Sequence, residues 1–399
     1  MLTLLSRRIA ALEPSATLAM AAKAKELKAA GKTVYDLSLG EPDFTTPEHI
    51  CEAAVAAMNA GKTHYTVASG IPELKEAVVK QYNANHGMNY TAANVCVSNG
   101  AKHALHNAFT VLIDEGDEVI VPAPYWVSYA ELIKLCGGVP VIVETLQEND
   151  FKLTAEQFRA ACTPKTKCLL LCSPSNPTGS MYSGEELGEL ADVVLEKDLW
   201  VIADEIYEFL VYDDNKFVTF PAVRPGLVDR TCLINGVSKT YAMTGWRIGW
   251  SIAPAKVTKI MADLQSQQTS NPCSISQYAA IAALNGPQQC VAEMRAEFAK
   301  RKDFCEKRIA EIPGLSCPAM GGAFYAFFNI KDFLGKSYGG KVLNTDTEWC
   351  LELLEKKGVA LVMGSAFGAP GYARASFAAS MDVLKAAFEK IEEFTKEAV

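Results

Sequence analysis

Short apolar runs alternate with helical patterns through the middle of this 399-residue chain. The runs cover residues 94–98, 118–122, 139–143, 167–172, 199–203 and 232–235, and helical segments such as 100–113 and 183–196 lie between most of them. A strand whose sequence is continuously apolar is buried on both faces, and helices between such strands supply the cover. The pattern therefore predicts an α/β fold with a mostly parallel sheet flanked by helices. A sheet of that kind gathers the C-terminal ends of its strands on one edge, where open α/β sheets bind ligands.

Helix punctuation agrees with this reading. Thr46-Pro47 is expected as an N-cap followed by proline at the first helical position, with Gly61 at the stop. Pro72 is expected to open the next helix and Gly87 to follow its end, while Gly31 closes a first helix over residues 17–30. From about Pro272 to Ala310 the pattern is helical, with a break at Asn285-Gly286-Pro287. An apolar segment at 322–328, a helix near 347–357, two more strand-like runs and an amphipathic helix from about Ser380 follow. These predict a second, smaller α+β domain, joined by the N-terminal helix. The expected division is a large domain over residues 46–310 and a small domain formed by both termini, 1–45 and 311–399.

Composition excludes several classes of function. A net charge of −8 and a pI near 5.4 give no basic footprint for nucleic acid. No apolar run approaches the roughly 20 residues of a membrane span. The N-terminal Met1-Leu2-Thr3-Leu4-Leu5-Ser6-Arg7-Arg8 lacks the apolar length and cleavage site of a signal peptide, so a cytoplasmic protein is expected. The 12 cysteines are scattered, without CxxC spacing, and read as reduced thiols. The five histidines form no HExxH or paired arrangement, so no metal is assigned. Gly31-Lys32-Thr33, Gly61-Lys62-Thr63 and Gly335-Lys336-Ser337 mimic the end of a P-loop. Glu26, Ala56 and Ile330 stand where its first glycine belongs.

The chemistry-bearing segments follow the predicted strands. Ser238-Lys239-Thr240 puts a lysine among small and hydroxyl residues, with Arg247 eight positions on. A desolvated lysine amine forms a Schiff base with a carbonyl, and the arginine fork binds two phosphate oxygens at once. A cofactor carrying an aldehyde and a phosphate uses both, and pyridoxal phosphate is that cofactor. Ser98-Asn99-Gly100-Ala101-Lys102 offers an anion the backbone N–H groups of a helix N-terminus, although an ordinary strand-to-helix turn reads the same way. Ser173-Pro174-Ser175-Asn176-Pro177-Thr178-Gly179 holds Asn176 in a rigid loop; turn asparagines usually bond their own backbone. Asp204, in Ala203-Asp204-Glu205-Ile206-Tyr207, ends an apolar strand. Its charge is costly there unless paired, and a protonated pyridinium nitrogen would pair it; a helix cap is the plain alternative. Trp126, in Pro124-Tyr125-Trp126, can stack on a flat heterocycle or simply fill the core. Arg374, in Ala373-Arg374-Ala375-Ser376-Phe377, has no acidic neighbour and invites a substrate carboxylate, though an edge-strand surface arginine would look alike.

Taken together and in this order, these loops resemble the fold-type I pyridoxal phosphate enzymes, specifically class I aminotransferases. The resemblance covers nearly the whole chain and is nearest the bacterial-type aspartate aminotransferases of the gamma subgroup. Further matching segments are Pro14-Ser15-Ala16-Thr17, Gly40-Glu41-Pro42-Asp43-Phe44, Tyr65 with Gly70-Ile71-Pro72-Glu73-Leu74, Trp126-Val127-Ser128-Tyr129 and Gly322-Ala323-Phe324-Tyr325.

The resemblance implies the following roles. Lys239 carries the cofactor covalently and, once released by substrate, moves the proton. Asp204 keeps the pyridine nitrogen protonated. Tyr207 and Asn176 bond the phenolic oxygen, and Trp126 stacks on the ring. Arg247, Ser238 and the Gly100-Ala101-Lys102 turn hold the phosphate. Arg374 clamps the substrate α-carboxylate, helped by Asn176, Trp126 and the backbone at Gly40. Lys102 and Ser15, with Thr17 nearby, read a distal carboxylate. Tyr65 reaches the neighbouring subunit's phosphate, which implies a homodimer with shared sites. The implied reaction is ping-pong exchange of an amino group between L-aspartate and 2-oxoglutarate. A prephenate or aromatic aminotransferase of the same subgroup, or a lyase on the same fold, is the alternative. Many close relatives have Lys-Pro-Ser-Ala-Thr where this chain has Glu13-Pro14-Ser15-Ala16-Thr17, and losing that positive charge weakens the expectation of prephenate breadth. Aminotransferase-like domains also occur in transcription regulators behind a DNA-binding helix-turn-helix, and only about a dozen residues precede the first motif here.

Overall fold

A computed structural model describes Ile9, Leu12, Pro14 and residues 16–399. Its centre is a seven-stranded sheet: β1 (Val95–Ser98), β2 (Glu118–Ala123), β3 (Val139–Glu144), β4 (Thr166–Cys172), β5 (Trp200–Asp204), β6 (Thr231–Gly236) and β7 (Gly249–Ile252). The spatial order is β1-β7-β6-β5-β4-β2-β3. Six of these strands match the apolar runs to within a residue or two. The seventh, β7, was not foreseen. It lies antiparallel between β1 and β6, pairing Gly249 with both Ser98 and Gly236.

Both faces of the sheet are buried at its inner strands, as continuous apolar strands require; the edge strand β3 is a correction, since no helix or further strand closes over it fully and Val139 and Ile142 stay exposed. Leu169, Leu171, Val201 and Ala203 enter one hydrophobic cluster, and Cys168, Leu170, Ile202 and Cys232 enter another on the opposite face. This is the period-2 alternation of a strand read in packing. Each leucine or isoleucine buried this way contributes roughly 1.5–3 kcal/mol.

The helix signals mostly hold. Helices span Ala16–Ala29, Pro72–His86, Ala101–Leu112, Gly184–Glu196, Ser274–Asn285, Gln289–Glu311, Asp346–Lys357 and Met381–Lys396. Gly87 takes the left-handed cap at φ 65° that glycine adopts without penalty. Thr46 is a correction: the helix Glu48–Asn59 is capped by Pro47, with no side-chain cap bond. The Thr46 hydroxyl instead donates to Ala242 O at 2.8 Å and accepts from Trp246 Nε1 at 2.9 Å. Tertiary partners outcompete the local cap.

A second sheet, antiparallel, contains β8 (Tyr325–Asn329), β9 (Val362–Met363) and β10 (Tyr372–Ser376) in the order β9-β10-β8. Nearby, Tyr35–Asp36 pairs in parallel with Val359–Ala360. Met20, Ala24 and Leu37 share a buried cluster with Phe327, Leu353, Phe388 and Ile391, so the N-terminal helix packs with C-terminal elements. Among the described residues no helix is long and apolar enough to cross a membrane. All 12 cysteines are free thiols.

Candidate active site

Strand direction assembles the site. β2, β4, β5 and β6 run parallel, and β1 runs antiparallel to β7. The loops after β1, β2, β4, β5 and β6, and the segment before β7, therefore meet at one edge. They line a cleft of about 460 Å³ containing Lys102, Trp126, Asn176, Asp204, Tyr207, Ser238, Lys239 and Arg247, closed from the second sheet by Arg374 and Tyr325.

Lys239 follows β6 on the short helix Val237–Thr240. Its amine donates to Gly40 O and stands 5.7 Å from the centre of the Phe324 ring. Burial pushes the amine down to about 8, with Glu41 opposing and Arg374 and Arg247 adding to the shift. A lysine so depressed has far more free base at neutral pH than a solvated one, which is the state that attacks carbonyls.

Asp204 ends β5 and is 4% exposed. Tyr129 Oη donates to its Oδ2 at 2.6 Å, and the Ile206 backbone N donates to Oδ1 at 3.3 Å. Burial pushes the carboxyl up to about 6 although the Tyr129 and Ile206 bonds and Lys239 pull it down. Among the described residues it forms no ion pair, and the one cap-like bond is long. A buried carboxylate with spare acceptor capacity facing a cleft fits a cationic ligand group.

Arg374 sits on β10 and is 1% exposed. Its guanidinium lies 4.5 Å from the Tyr325 ring centre and 4.9 Å from that of Phe367. Nη1 donates to Asn176 Oδ1 at 3.0 Å and Nη2 to Ser38 O at 2.7 Å, while Nε has no partner. No described carboxylate pairs with it. Burial lowers its pKa, so an incoming carboxylate would relieve a desolvated cation.

The opposite end of the cleft is built for an anion. The helix Ala101–Leu112 begins there, behind Gly100 at φ 85°. A side chain on Gly100 would place its Cβ 2.3 Å from Arg247 Nη2, so glycine is needed for the arginine to reach over the helix end. Arg247 is exposed, tied to Thr244 O at 2.9 Å and more loosely to Asn99 O at 3.4 Å. Ser238 lies beside it in the cleft wall. Backbone N–H groups, a hydroxyl and a guanidinium fork form a suitable donor set for phosphate.

Trp126 packs edge-on against Tyr129, ring centres 5.3 Å apart at 86°, and the Lys102 ammonium stands 4.8 Å over its ring. Burial, then Arg247, lowers the Lys102 pKa. Thr17 also lines the cleft, and its buried Oγ1 has no partner among the described residues. Tyr207 Oη shares a hydrogen bond of 2.9 Å with Tyr325 Oη. Ser15 and Glu13 lie outside the described residues. Tyr65 is 89% exposed and does not line its own chain's cleft.

Sequence reasoning gave no role to Tyr129, Tyr325, Cys172, Glu41 or Thr244, all of which line the cleft or touch its residues. Tyr129 and Tyr325 stood inside quoted segments. Only their distant partners, 75 and 118 residues away, give them meaning.

An amine, an unpaired carboxylate, a buried unpaired arginine and an anion cradle at one sheet edge define a class: enzymes that handle the amino and carbonyl groups of small anionic substrates. Comparison with known proteins makes this specific. Residues 32–391 match the family model of class I and II aminotransferases. The chain is 50% identical over 390 residues to an aspartate aminotransferase of Geobacillus stearothermophilus, covering 98% of each. It is 47% identical over 392 residues to an aspartate/prephenate aminotransferase of Cereibacter sphaeroides, again covering 98% of each. Its fold superposes on the aspartate aminotransferase of Rhizobium meliloti with a TM-score of 0.96, at 44% identity and 99% coverage of both chains. The Thermus thermophilus aspartate aminotransferase with maleate gives 0.92 at 40% identity, covering 98% of this chain and 99% of that one. The chain belongs to the class I and II aminotransferase family.

Proposed function

We propose that this chain is a pyridoxal-phosphate-dependent aminotransferase that moves an amino group between L-aspartate and 2-oxoglutarate, giving oxaloacetate and L-glutamate in two half-reactions. The observation that carries the reading is the convergence of Lys239, Asp204 and Arg374 on one cleft, each buried or half-buried and each, among the described residues, without an ion-pair partner. Relatives named as aspartate aminotransferases at 50% and 48% identity support the substrate pair.

The residues suit the cofactor's parts. Arg247, Ser238 and the Gly100-Ala101-Lys102 turn would hold its phosphate, Trp126 would cover its ring, Asp204 would hold its ring nitrogen protonated, and Asn176 and Tyr207 would bond its phenolic oxygen. When bound, pyridoxal phosphate supplies an aldehyde for amine exchange and an electron sink for the charge left on the substrate's Cα. The protein supplies the rest. Arg374 binds the substrate α-carboxylate as a fork, held at its angle by Asn176 and by Ser38 O. Lys102, with Thr17 and Ser15, binds the distal carboxylate. Lys239 Nζ, free of its proton at mildly alkaline pH, takes the proton from Cα and carries it. The aromatic walls of Trp126, Phe324 and Tyr325 keep water from that proton.

We read residues 46–310 as the large, cofactor-binding domain, and 1–45 with 311–399 as the small one. The helix Gln289–Glu311 supports a seam there. Its Val291 packs with the seven-stranded sheet, and its Met294, Phe298, Cys305 and Ile309 pack with the small one. Tyr65, exposed and remote from its own cleft, fits a role on the phosphate of a second subunit, which makes the working unit a cytoplasmic homodimer.

Single-turnover mixing with a panel of amino donors tests the assignment. Aspartate and glutamate should each convert the bound aldehyde form to the amine form and release one equivalent of 2-oxo acid. Preference for prephenate's amino product would move the chain to the aspartate/prephenate group. Release of ammonia with the cofactor left as aldehyde would make it a lyase.

A further inference from the structure

Residues 39–45 run past the cleft, which Leu39, Gly40 and Glu41 line, and are held by the burial of Pro42 and Phe44 and by few hydrogen bonds. Among the described residues, no backbone–backbone hydrogen bond reaches this strip. Before it, Leu37 is pinned on both sides, its N donating to Ala360 O at 3.0 Å and its O accepting from Ser376 N at 2.8 Å. After it, Thr46 is tied to Ala242 and Trp246. Within residues 39–45 themselves, three side chains reach the strip by hydrogen bonds. Lys239 donates to Gly40 O, Thr244 Oγ1 donates to Glu41 Oε2 at 2.7 Å, and Arg301 Nη1 donates to Asp43 Oδ1 at 2.7 Å.

These three contacts are unequal. Lys239 is the reacting group and cannot also be a permanent anchor. The Thr244–Glu41 bond is exposed to solvent. Arg301 is rigid. Its side chain is 7% exposed, and its guanidinium lies 5.3 Å from the Phe44 ring centre and 5.6 Å from that of Phe298. Those two rings meet edge to face at 5.4 Å, and Arg301 Nε also reaches Glu297 Oε1 at 3.3 Å. The helix Gln289–Glu311 thus grips the far end of the strip with one salt bridge and two ring contacts.

The near end has little slack. A Cβ on Gly40 would stand 2.9 Å from Tyr325 Oη, and the Ser38 carbonyl accepts from Arg374 Nη2 at 2.7 Å. Ser38 is also held from the other side, its N donating to Asp36 Oδ1 at 3.1 Å, so its placement and that of Gly40 are shared between that anchor and the grip on Asp43–Phe44. We infer that Arg301 is a positioning residue for substrate binding. It clamps Asp43 and Phe44, and so helps to set the Ser38 carbonyl against the guanidinium that receives the α-carboxylate, and Gly40 against Tyr325. It touches no substrate. The inference rests on the aminotransferase reading above.

A binding role predicts a rise in KM at nearly constant kcat. In the cofactor-loaded enzyme, Asp43→Asn and Arg301→Met should each raise KM for aspartate about tenfold, the scale of one charge-assisted hydrogen bond, with kcat changed less than about threefold. The Kd of succinate, a C4 dicarboxylate probe, read by calorimetry, should rise by the same factor. Arg301→Lys keeps the charge and loses the flat fork, and should fall between. The double variant should be no worse than the worse single one, because both break one contact. If Arg301→Met does not fold, Asp43→Asn at its exposed carboxylate still decides. Unchanged KM and Kd with a lowered Tm would make the clasp merely structural, and multiplied effects in the double variant would show two separate contacts; either overturns the inference. A wild-type protein that binds succinate but does not transaminate aspartate would instead overturn the reading on which it rests.

Discussion

Asp204 and Glu205 are adjacent, both carboxylates, both nearly fully buried at 4% and 3% exposure, and they face opposite environments. Glu205 looks into the core. It accepts from Thr219 Oγ1 at 2.8 and 3.0 Å, from Tyr82 Oη at 3.1 Å and from the Phe220 N at 3.1 Å. Burial, with Glu208 adding, pushes it up to about 7. Asp204 looks into the cleft and has one strong donor, Tyr129. Arg301 and Arg374 repeat the contrast, 5% and 1% exposed: the first is paired with Asp43 and Glu297, the second with no carboxylate among the described residues. Burial is the same within each pair, and what differs is satisfaction. A buried ionisable group surrounded by partners holds the protein's own groups in place, and one left short of partners beside a cavity is reserved for a ligand.

Substitutions can break that contrast. The largest effect is expected at Asp204→Ala, which removes the carboxylate proposed as counter-charge of the ring nitrogen. It should slow proton removal from the substrate by on the order of 4 kcal/mol, roughly a thousandfold, in stopped-flow half-reactions. Glu205→Gln should leave the same rate within about threefold and lower stability by about 1–3 kcal/mol in denaturant melts. Equal kinetic losses in the two would erase the distinction. Arg374→Ala should weaken every amino-acid donor alike, by about 3 kcal/mol in kcat/KM, since all carry an α-carboxylate. Lys102→Ala should cost roughly 1.5–3 kcal/mol for aspartate and glutamate and little for alanine or phenylalanine. Equal losses across that panel would remove Lys102 from the specificity model.

The smallest effect is one of pH. With its amine pushed down to about 8, Lys239 in the cofactor-free protein is cationic below that value and neutral above it. Its rate of trapping a small aldehyde should climb about tenfold per pH unit up to about 8 and then level off. A climb that continues to the ordinary lysine range near 10.5 would show a solvated amine.

Much of this was legible beforehand because it is local or periodic. The runs ending in Ser98, Cys172 and Ala203 announced strands through continuous apolarity, and Asn285-Gly286-Pro287 announced a helix break. β7 escapes the apolar-run signal because Gly249-Trp250-Ser251-Ile252 is only four residues long and alternates small residues with apolar ones instead of forming a continuous run. Thr46 was misread because a cap is a local choice and its real partners, Ala242 and Trp246, are about 200 residues away. Asp204 and Arg374 stand out as charges in apolar surroundings, and Lys239 as an amine among small and hydroxyl residues with Arg247 eight positions on. Tyr129 and Tyr325 do not, since a buried tyrosine is unremarked until its hydroxyl's partner is known. The clasp from Arg301 to Asp43 spans 258 residues and left no trace in the pattern.

One lysine amine, its pKa lowered by burial at the sheet edge, is the proposed reacting group. Borohydride reduction of the pyridoxal-phosphate-loaded protein, followed by proteolysis and peptide mapping, identifies the amine that holds the aldehyde. A single stable label is expected, on Lys239, and it should be absent in Lys239→Ala although the variant still retains cofactor through its phosphate. A label on Lys102 or any other lysine, or full turnover by Lys239→Ala, would contradict it.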